Sequence, residues 1–238
     1  TEVNGVYMFA YAGVNAQCMN DEIVAEIIDG EGNTISKKKY TFKENAVNLY
    51  NNKPEEYTPE QHSALKKFLA NMLAYGAAAQ NQFTYNTEDL ANNQLSEVQK
   101  GYATENANPV NRLAEGENYY GSTLTLKSKI YLTLYFQNIT PDMYAIATFS
   151  NHHGEDIEIR IEGTEFTRYN SNVYGVIVDE LVIADGDQLV TVKVYNSDNQ
   201  IVASASDSMD GYAARNMDKA VINEMIAKFT ASAYKQFH

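Results

Sequence analysis

The chain has 238 residues, 44% of them hydrophobic and 11% aromatic, which suits one large domain or two of roughly 100 residues and excludes wholesale disorder. Its formal net charge of −13 argues against nucleic acid, whose phosphates are held by Lys and Arg, and against anionic membrane surfaces. Neutral polymers, cations and basic proteins remain as partners. Cys18 is the single cysteine, so no intrachain disulfide forms, and its place in the apolar run V-N-A-Q-C-M reads as a buried thiol rather than a nucleophile.

The opening T-E-V-N-G has no initiator Met, no basic n-region and no A-x-A site, and reads as the start of a piece processed or excised from something longer. No apolar run approaches the ~20 residues of a membrane-spanning helix. Residues 3–28 predict two strands, V-Y-M-F-A-Y-A and then Glu22 to Ile28. The segment Asp29 to Ile35, D-G-E-G-N-T-I, follows as a hairpin turn, because Gly and Asn tolerate the positive φ that tight turns need. Thr58, Pro59 and Gln61 form a capping box with proline at the first helical position. Leu65, Phe68, Leu69, Met72, Leu73, Gly76, Ala79 and Phe83 follow at helical spacing and predict a single-faced amphipathic helix.

Residues 84–120 are Asn-rich and weakly periodic, and predict a short helix near Thr87–Asn92 followed by a connector. From Gly121 the pattern becomes strands: S-T-L-T-L-K-S-K-I-Y-L-T-L-Y-F, M-Y-A-I-A-T-F, D-I-E-I-R-I-E, Y-G-V-I-V and Gln188 to Val194. A second amphipathic helix carries Val221, Ile222, Met225, Ile226, Phe229, Ala233 and Phe237 on one face.

The two halves resemble each other. At an offset of 166, Asp21 falls on Asp187, Ile23 on Leu189, Val24 on Val190, Ile28 on Val194 and Asn33 on Asn199. At an offset of 154, Phe68 meets Ile222, Met72 meets Ile226, Tyr75 meets Phe229, Ala79 meets Ala233 and Phe83 meets Phe237. A twelve-residue insertion in the first copy, Asn51 to His62, reconciles the two offsets. The expected architecture is therefore α+β and mostly β. It has two pseudo-repeated lobes, each an antiparallel β-sheet or sandwich closed by an amphipathic helix. The first lobe spans 1–92, the connector 93–120 and the second lobe 121–238. The three strands between Ser122 and Ile161 have no counterpart in the first copy. Either that lobe lost them or residues upstream of Thr1 carry them.

No catalytic signature is present: no G-x-S-x-G, H-E-x-x-H, C-x-x-C, P-loop or G-x-G-x-x-G occurs. His152 and His153 in N-H-H-G-E-D read as a solvated turn rather than a metal site. D-G-E-G-N-T-I lacks the Gly and Glu that complete a calcium loop. No enzyme activity, cofactor or metal is expected. What stands out is aromatic usage, with 18 Tyr, 9 Phe and no Trp, because several tyrosines fall in polar surroundings. Tyr75 and Tyr135 read as core. Tyr57, Tyr102, Tyr119, Tyr120 and Tyr169 read as loop residues whose rings can lie on the C–H face of a sugar. Their neighbours Asn118, Arg168 and Asn170 can bond sugar hydroxyls.

The stretch Met72 to Asn92, M-L-A-Y-G-A-A-A-Q-N-Q-F-T-Y-N-T-E-D-L-A-N, resembles a segment common in large secreted proteins of gut Firmicutes. Those proteins usually carry M-L-N-Y-G-A-A-A-Q-x-Y-F-x-Y-N-T-D-x-L-A-N at the end of a β-rich lobe, and Gln82 here replaces the usual Tyr. Leu124 to Phe136 and the closing helix are similar to that family's second lobe. Such modules occur beside dockerins, repeats and carbohydrate-active domains, and some ruminococcal relatives are similar to the starch-adherence proteins of amylosomes. The resemblance implies a secreted or cell-surface, non-catalytic module, tethered in a larger multidomain protein. Such a module would be monomeric, would bind an α-glucan such as starch and would not insert in a membrane. Its motif reads as structural, with Gly76 and the alanines permitting close helix packing. The ligand is expected in a groove where the lobes meet, near residues 102–120. The alternatives are a structural spacer or protein-interaction module, or a binder of cellulose or another plant polysaccharide.

Overall fold

A computed structural model describes residues 2–3, 6–7, 11, 13–101, 115–127 and 129–237. Among them the fold is α+β and mostly sheet. The order is β1 (Glu2–Val3), β2 (Val6–Tyr7), β3 (Ile23–Ile28), β4 (Thr34–Tyr40), α1 (Phe42–Asn51), α2 (Pro59–Phe83) and α3 (Glu97–Gly101). Then come β5 (Glu115–Glu117), β6 (Tyr119–Leu126), β7 (Ile130–Gln137), β8 (Tyr144–Ser150), β9 (Asp156–Glu162), β10 (Thr167–Arg168) and β11 (Val173–Val178). The chain closes with β12 (Val190–Tyr195), β13 (Ile201–Asp207), α4 (Met209–Arg215) and α5 (Val221–Phe237). All the strand pairs are antiparallel.

Beyond the hairpins β1–β2 and β3–β4 there is a four-stranded sheet, β10-β11-β7-β6, and a five-stranded sheet, β5-β13-β12-β8-β9. Alternation along the strands makes each sheet one-sided. Leu132, Leu134 and Phe136 of β7 share a face with Val176 and Val178 of β11. Val190, Val192 and Val194 of β12 share one with Ala145 and Ala147 of β8. All ten are buried, β13 lies against β6 and β7, and these side chains belong to one contiguous core.

Helix α2 begins as its sequence predicts. The Gln61 amide donates to the Thr58 hydroxyl at 3.2 Å, and the Gln61 side chain accepts from the Thr58 amide at 2.8 Å. Leu65, Leu69, Met72, Leu73 and Ala79 are buried, whereas Phe83 at the end of the helix is 47% exposed. On α5, Ile222, Ile226, Phe229 and Ala233 are buried and Val221 is exposed. The short helices α1 and α4 are absent from the sequence prediction. Each starts at a hydroxyl N-cap: Thr41 accepts from Glu44 N–H at 3.0 Å, and Ser208 accepts from Gly211 N–H at 3.2 Å.

The predicted helix near Thr87–Asn92 does not form. Gln80, fully buried on α2, claims the backbone there instead. Its amide nitrogen donates to the Asn86 and Asp89 carbonyls at 3.2 and 3.0 Å, and its oxygen accepts from Ala91 N–H at 2.7 Å. The chain passes through successive turns, with Asn86 at φ 48°, and Asp89 meets buried Lys43 at 2.6 Å. This accounts for Y-G-A-A-A-Q…N-T-E-D-L-A-N as a docking of loop onto helix.

The hairpins β3–β4 and β12–β13 carry the same ladder at an offset of 167, one residue from the 166 read in the sequence. Ile23 pairs with Tyr40 as Val190 pairs with Asp207, and the bulges at Ile27/Ile28 and Val194/Tyr195 coincide. Alignment by residue type cannot detect a slip of one, yet such a slip turns every side chain to the other face. The turns match too. Asp29 Oδ1 accepts from Glu31 N–H and Asn33 N–H, as Asn196 Oδ1 accepts from Asp198 N–H and Gln200 N–H. The 3-10 turns Ala16–Cys18 and Ile183–Asp185 stand at the same offset, as do the caps Thr41 and Ser208. The first strand read in the sequence begins as β2, and most of its remainder lies outside the described residues.

Helix and turn also meet alike in both halves, with the small partner exchanged. A Cβ on Gly76 would come within 2.5 Å of Met19 Sδ and 3.1 Å of Ala91 Cβ. At the matching contact the small residue is Gly186, on the turn, and its Cβ would come within 2.3 Å of Thr230 on α5. Gly76→Ala therefore costs about 1–3 kcal/mol of stability from overpacking, despite a gain in helix propensity. In a urea-unfolding double-mutant cycle, Met19→Ala and Gly76→Ala together destabilise less than their sum, with a coupling of about 1 kcal/mol.

Candidate functional site

Three tyrosine rings gather on the outer side of the four-stranded sheet. Tyr169 lies 5.7 Å from Tyr120 and 5.2 Å from Tyr135 between ring centroids, with interplanar angles of 48° and 58°. Each has a separate structural reason for being there. Tyr120 is the extra residue of a bulge, because Tyr119 pairs with Phe136 and Gly121 with Tyr135. Tyr169 sits in the loop after β10, tied by its N–H to the Val173 carbonyl at 3.0 Å. Tyr135 stands on β7 between Gly121 of β6 and Gly175 of β11, so neither neighbouring strand places a side chain against it.

The glycine at 175 is required for that arrangement. A Cβ there would lie 2.7 Å from both Tyr135 Cε1 and Thr133 Cγ2. On the Gly121 side the space is open. Tyr120 and Tyr169 are 49% and 58% exposed, so two of the three rings offer surface to solvent. Arg168 and Asn170 are exposed beside them. Arg168 Nε donates to the Asn170 carbonyl at 3.2 Å, and Asn170 Oδ1 accepts from Asn172 N–H at 2.9 Å, leaving other donors of both side chains at the rim.

The remaining sequence candidates do not join this cluster. Tyr119 turns the opposite way from Tyr120, against Phe136 at 6.4 Å, and burial pushes its phenol pKa up. Asn118 adopts φ 55°, and its side-chain nitrogen donates to the Val202 carbonyl at 2.7 Å, a structural bond across to β13. Tyr57 is half-buried against the core ahead of α2, and its carbonyl accepts from Lys53 Nζ at 2.7 Å. Tyr102 lies outside the described residues.

Tyr135, read in the sequence as core, is half-buried and belongs to the cluster. The signal that would have found it spans three strands: a tyrosine with glycine at the paired position on each side. A second aromatic group also depends on pairing that sequence order hides. Tyr144 and Tyr195, partners on β8 and β12, stack at 5.1 Å and 7°, but the Arg160 guanidinium lies 3.6 Å from the Tyr144 centroid and covers that ring.

Other chemistry is quieter. His152 Nδ1 lies 2.8 Å from Asp185 Oδ1, and its backbone N–H donates to the same oxygen at 2.7 Å. Asp185 also accepts from Val182 N–H, so this buried carboxylate organises two loops. No group of three or more metal-ligating side chains occurs among the described residues. Cys18 is half-buried, and burial followed by the nearby Asp21 pushes its thiol pKa up, away from the thiolate that nucleophilic chemistry needs. A mainly apolar cavity of about 260 Å³ lies beside α2 and α5, lined by Val14, Met72, Tyr75, Leu181, Val182 and Phe229 among others. It has the size for a small molecule rather than a polymer chain. The Tyr75 hydroxyl is buried with no partner, and desolvation pushes its pKa up.

A scan against protein-family models finds no match to this chain, and searches of curated proteins and of solved structures also find none.

The two adjacent tyrosines 119 and 120 therefore have different roles. In urea unfolding, Tyr119→Ala costs about 2–4 kcal/mol through the lost core contact, while Tyr169→Ala stays within about 0.5 kcal/mol of the parent.

Proposed function

We propose that this chain is a non-catalytic polysaccharide-binding module that holds an α-glucan such as starch on the surface formed by Tyr120, Tyr135 and Tyr169. The observation that carries the reading is the contiguity of the three rings on one sheet face, with two of them exposed and with Arg168 and Asn170 at their edge. An aromatic face packs against the C–H side of a sugar ring while polar neighbours bond its hydroxyls. The tilt between successive rings suits a chain that twists from residue to residue better than a flat one, which favours an α-glucan over cellulose. A net charge of −13 sets no obstacle to a neutral polymer.

In this reading the binding surface lies on the second lobe and not in a cleft between lobes. The architecture is that of two pseudo-repeated lobes, 1–92 and 121–238, joined by the connector 93–120. The shared hairpin register, the shared turn bonds and the exchanged Gly76–Met19 and Thr230–Gly186 contacts support it. The setting is a secreted or cell-surface protein with further modules, as the resemblance of Met72 to Asn92 implies.

The test is electrophoresis through native gels cast with starch, a cellulose derivative, xylan or mannan. The chain is slowed in starch alone, and Tyr120→Ala combined with Tyr169→Ala weakens the apparent affinity about 10- to 100-fold, the loss of two stacking contacts. Uniform mobility in every gel would instead favour the spacer or protein-interaction reading. Retardation untouched by the double substitution would remove the platform as the site.

A further inference from the structure

The hairpins β3–β4 and β12–β13 share register, turn and cap but not surroundings. β12 pairs on its outer side with β8 through Thr191–Tyr195, and β13 pairs on its outer side with β5. The side chains Val190, Val192, Val194, Ala203 and Ala205 are consequently at most 3% exposed. In β3–β4 neither outer edge carries a strand among the described residues. Ile27, which stands where Val194 stands, is 45% exposed, and Ala25, which stands where Val192 stands, is exposed too. Lys37, Lys38 and Lys39 guard the edge of β4, whereas β3, I-V-A-E-I-I, is apolar apart from Glu26, so its open edge is the one prone to pairing.

The connectivity shows which strands would close it. In the second half β10 and β11 precede the hairpin β12–β13, and β5 to β9 precede them. In the first half β1 and β2 stand in the place of β10 and β11: Tyr7, at the position of Tyr174, pairs back onto the preceding strand as Tyr174 does, across a connection one residue shorter. The five strands β5 to β9 have no counterpart among the described residues of the first half.

We infer that β3–β4 is a docking surface for a β-strand unit of the β5–β9 type, entering ahead of β1 in the same polypeptide. Its strand equivalent to β8 pairs antiparallel with the free edge of β3, and its apolar side chains cover Ile23, Ala25 and Ile27. The occupant follows from the residues that cover the matching hairpin, Ala145 and Ala147 of β8 beside the core residues of β7. This inference stands on strand register and burial, and it is independent of sugar binding.

The experiment joins a second copy of residues 115–166 directly to Thr1 of the full chain and follows amide hydrogen exchange by residue. In the parent chain, the β3 amides that point away from β4 exchange fast. In the extended chain the same amides become protected roughly 100-fold or more, and the melting temperature rises. Should that extension fail to fold, residues 142–162 alone, the β8–β9 hairpin, joined through a Gly-Ser linker give the same readout. Unprotected β3 amides with protected β12 amides, in whichever extended chain folds, would overturn the inference. A concentration-dependent dimer of the parent chain that Ile27→Lys abolishes would overturn it also, because a second copy would then be the occupant.

Discussion

Phe229 lies on Tyr75 at 5.6 Å and beside Phe68 at 5.3 Å where α5 crosses α2, and through this contact the two halves of the chain share one core. Each helix is held by its own half: α2 by α1 and the turn Ala16–Cys18, α5 by α4 and the turn Ile183–Asp185. Neither short helix could persist without the long one beside it, since seven or ten residues do not sustain a helix in water. The three rings bury large apolar areas, each contributing about 2–3 kcal/mol by area alone.

Close approach at the seam constrains sequence elsewhere. Gly76 admits Met19, and Gly186 admits Thr230, so the same contact is made twice with the bulk on opposite partners. Such an exchange keeps one residue of each pair without a side chain, so that helix and turn can approach closely. Gln80 shows the polar side of the same constraint. A fully buried amide is tolerable because all three of its hydrogen bonds go to the backbone of residues 86–91, and those bonds replace the helix that the local sequence would otherwise have formed.

The long helices, the hairpin turns and most strands were legible in the amino-acid sequence because their signals are local: a capping box at Thr58, helical spacing from Leu65, alternation through β7. Helices α1 and α4 were missed, although Thr41-x-x-Glu44 is itself a capping signature, because ten and seven residues are too short a run for helical periodicity to show. The candidate site was half legible. Tyr120 and Tyr169 stand out in polar surroundings, but Tyr119 looks the same in the sequence and differs only by the bulge that turns it inward. Tyr135 was hidden because the glycines that flank it, Gly121 and Gly175, are neighbours only after β6, β7 and β11 pair. Register is the quantity that residue type alone leaves open, and the one-residue difference between the two hairpin alignments is the same problem in another place.

The asymmetry between the halves separates two surfaces. The second half has a complete pair of sheets and carries the tyrosine cluster on a face braced from behind by Leu134 and Phe136. The first half presents an open hairpin whose apolar side chains are exposed. On the proposed reading a sugar packs against the braced face, where the Tyr135 ring is already fixed by the sheet and loses little freedom on binding. The most direct measurement is a titration of the full chain with a linear α-glucan oligosaccharide, followed through the aromatic NMR resonances. Dose-dependent shifts at Tyr120, Tyr135 and Tyr169, with Tyr57, Tyr119 and Tyr195 unmoved, are the predicted result. Shifts centred on other rings, or none at millimolar sugar, would contradict the account.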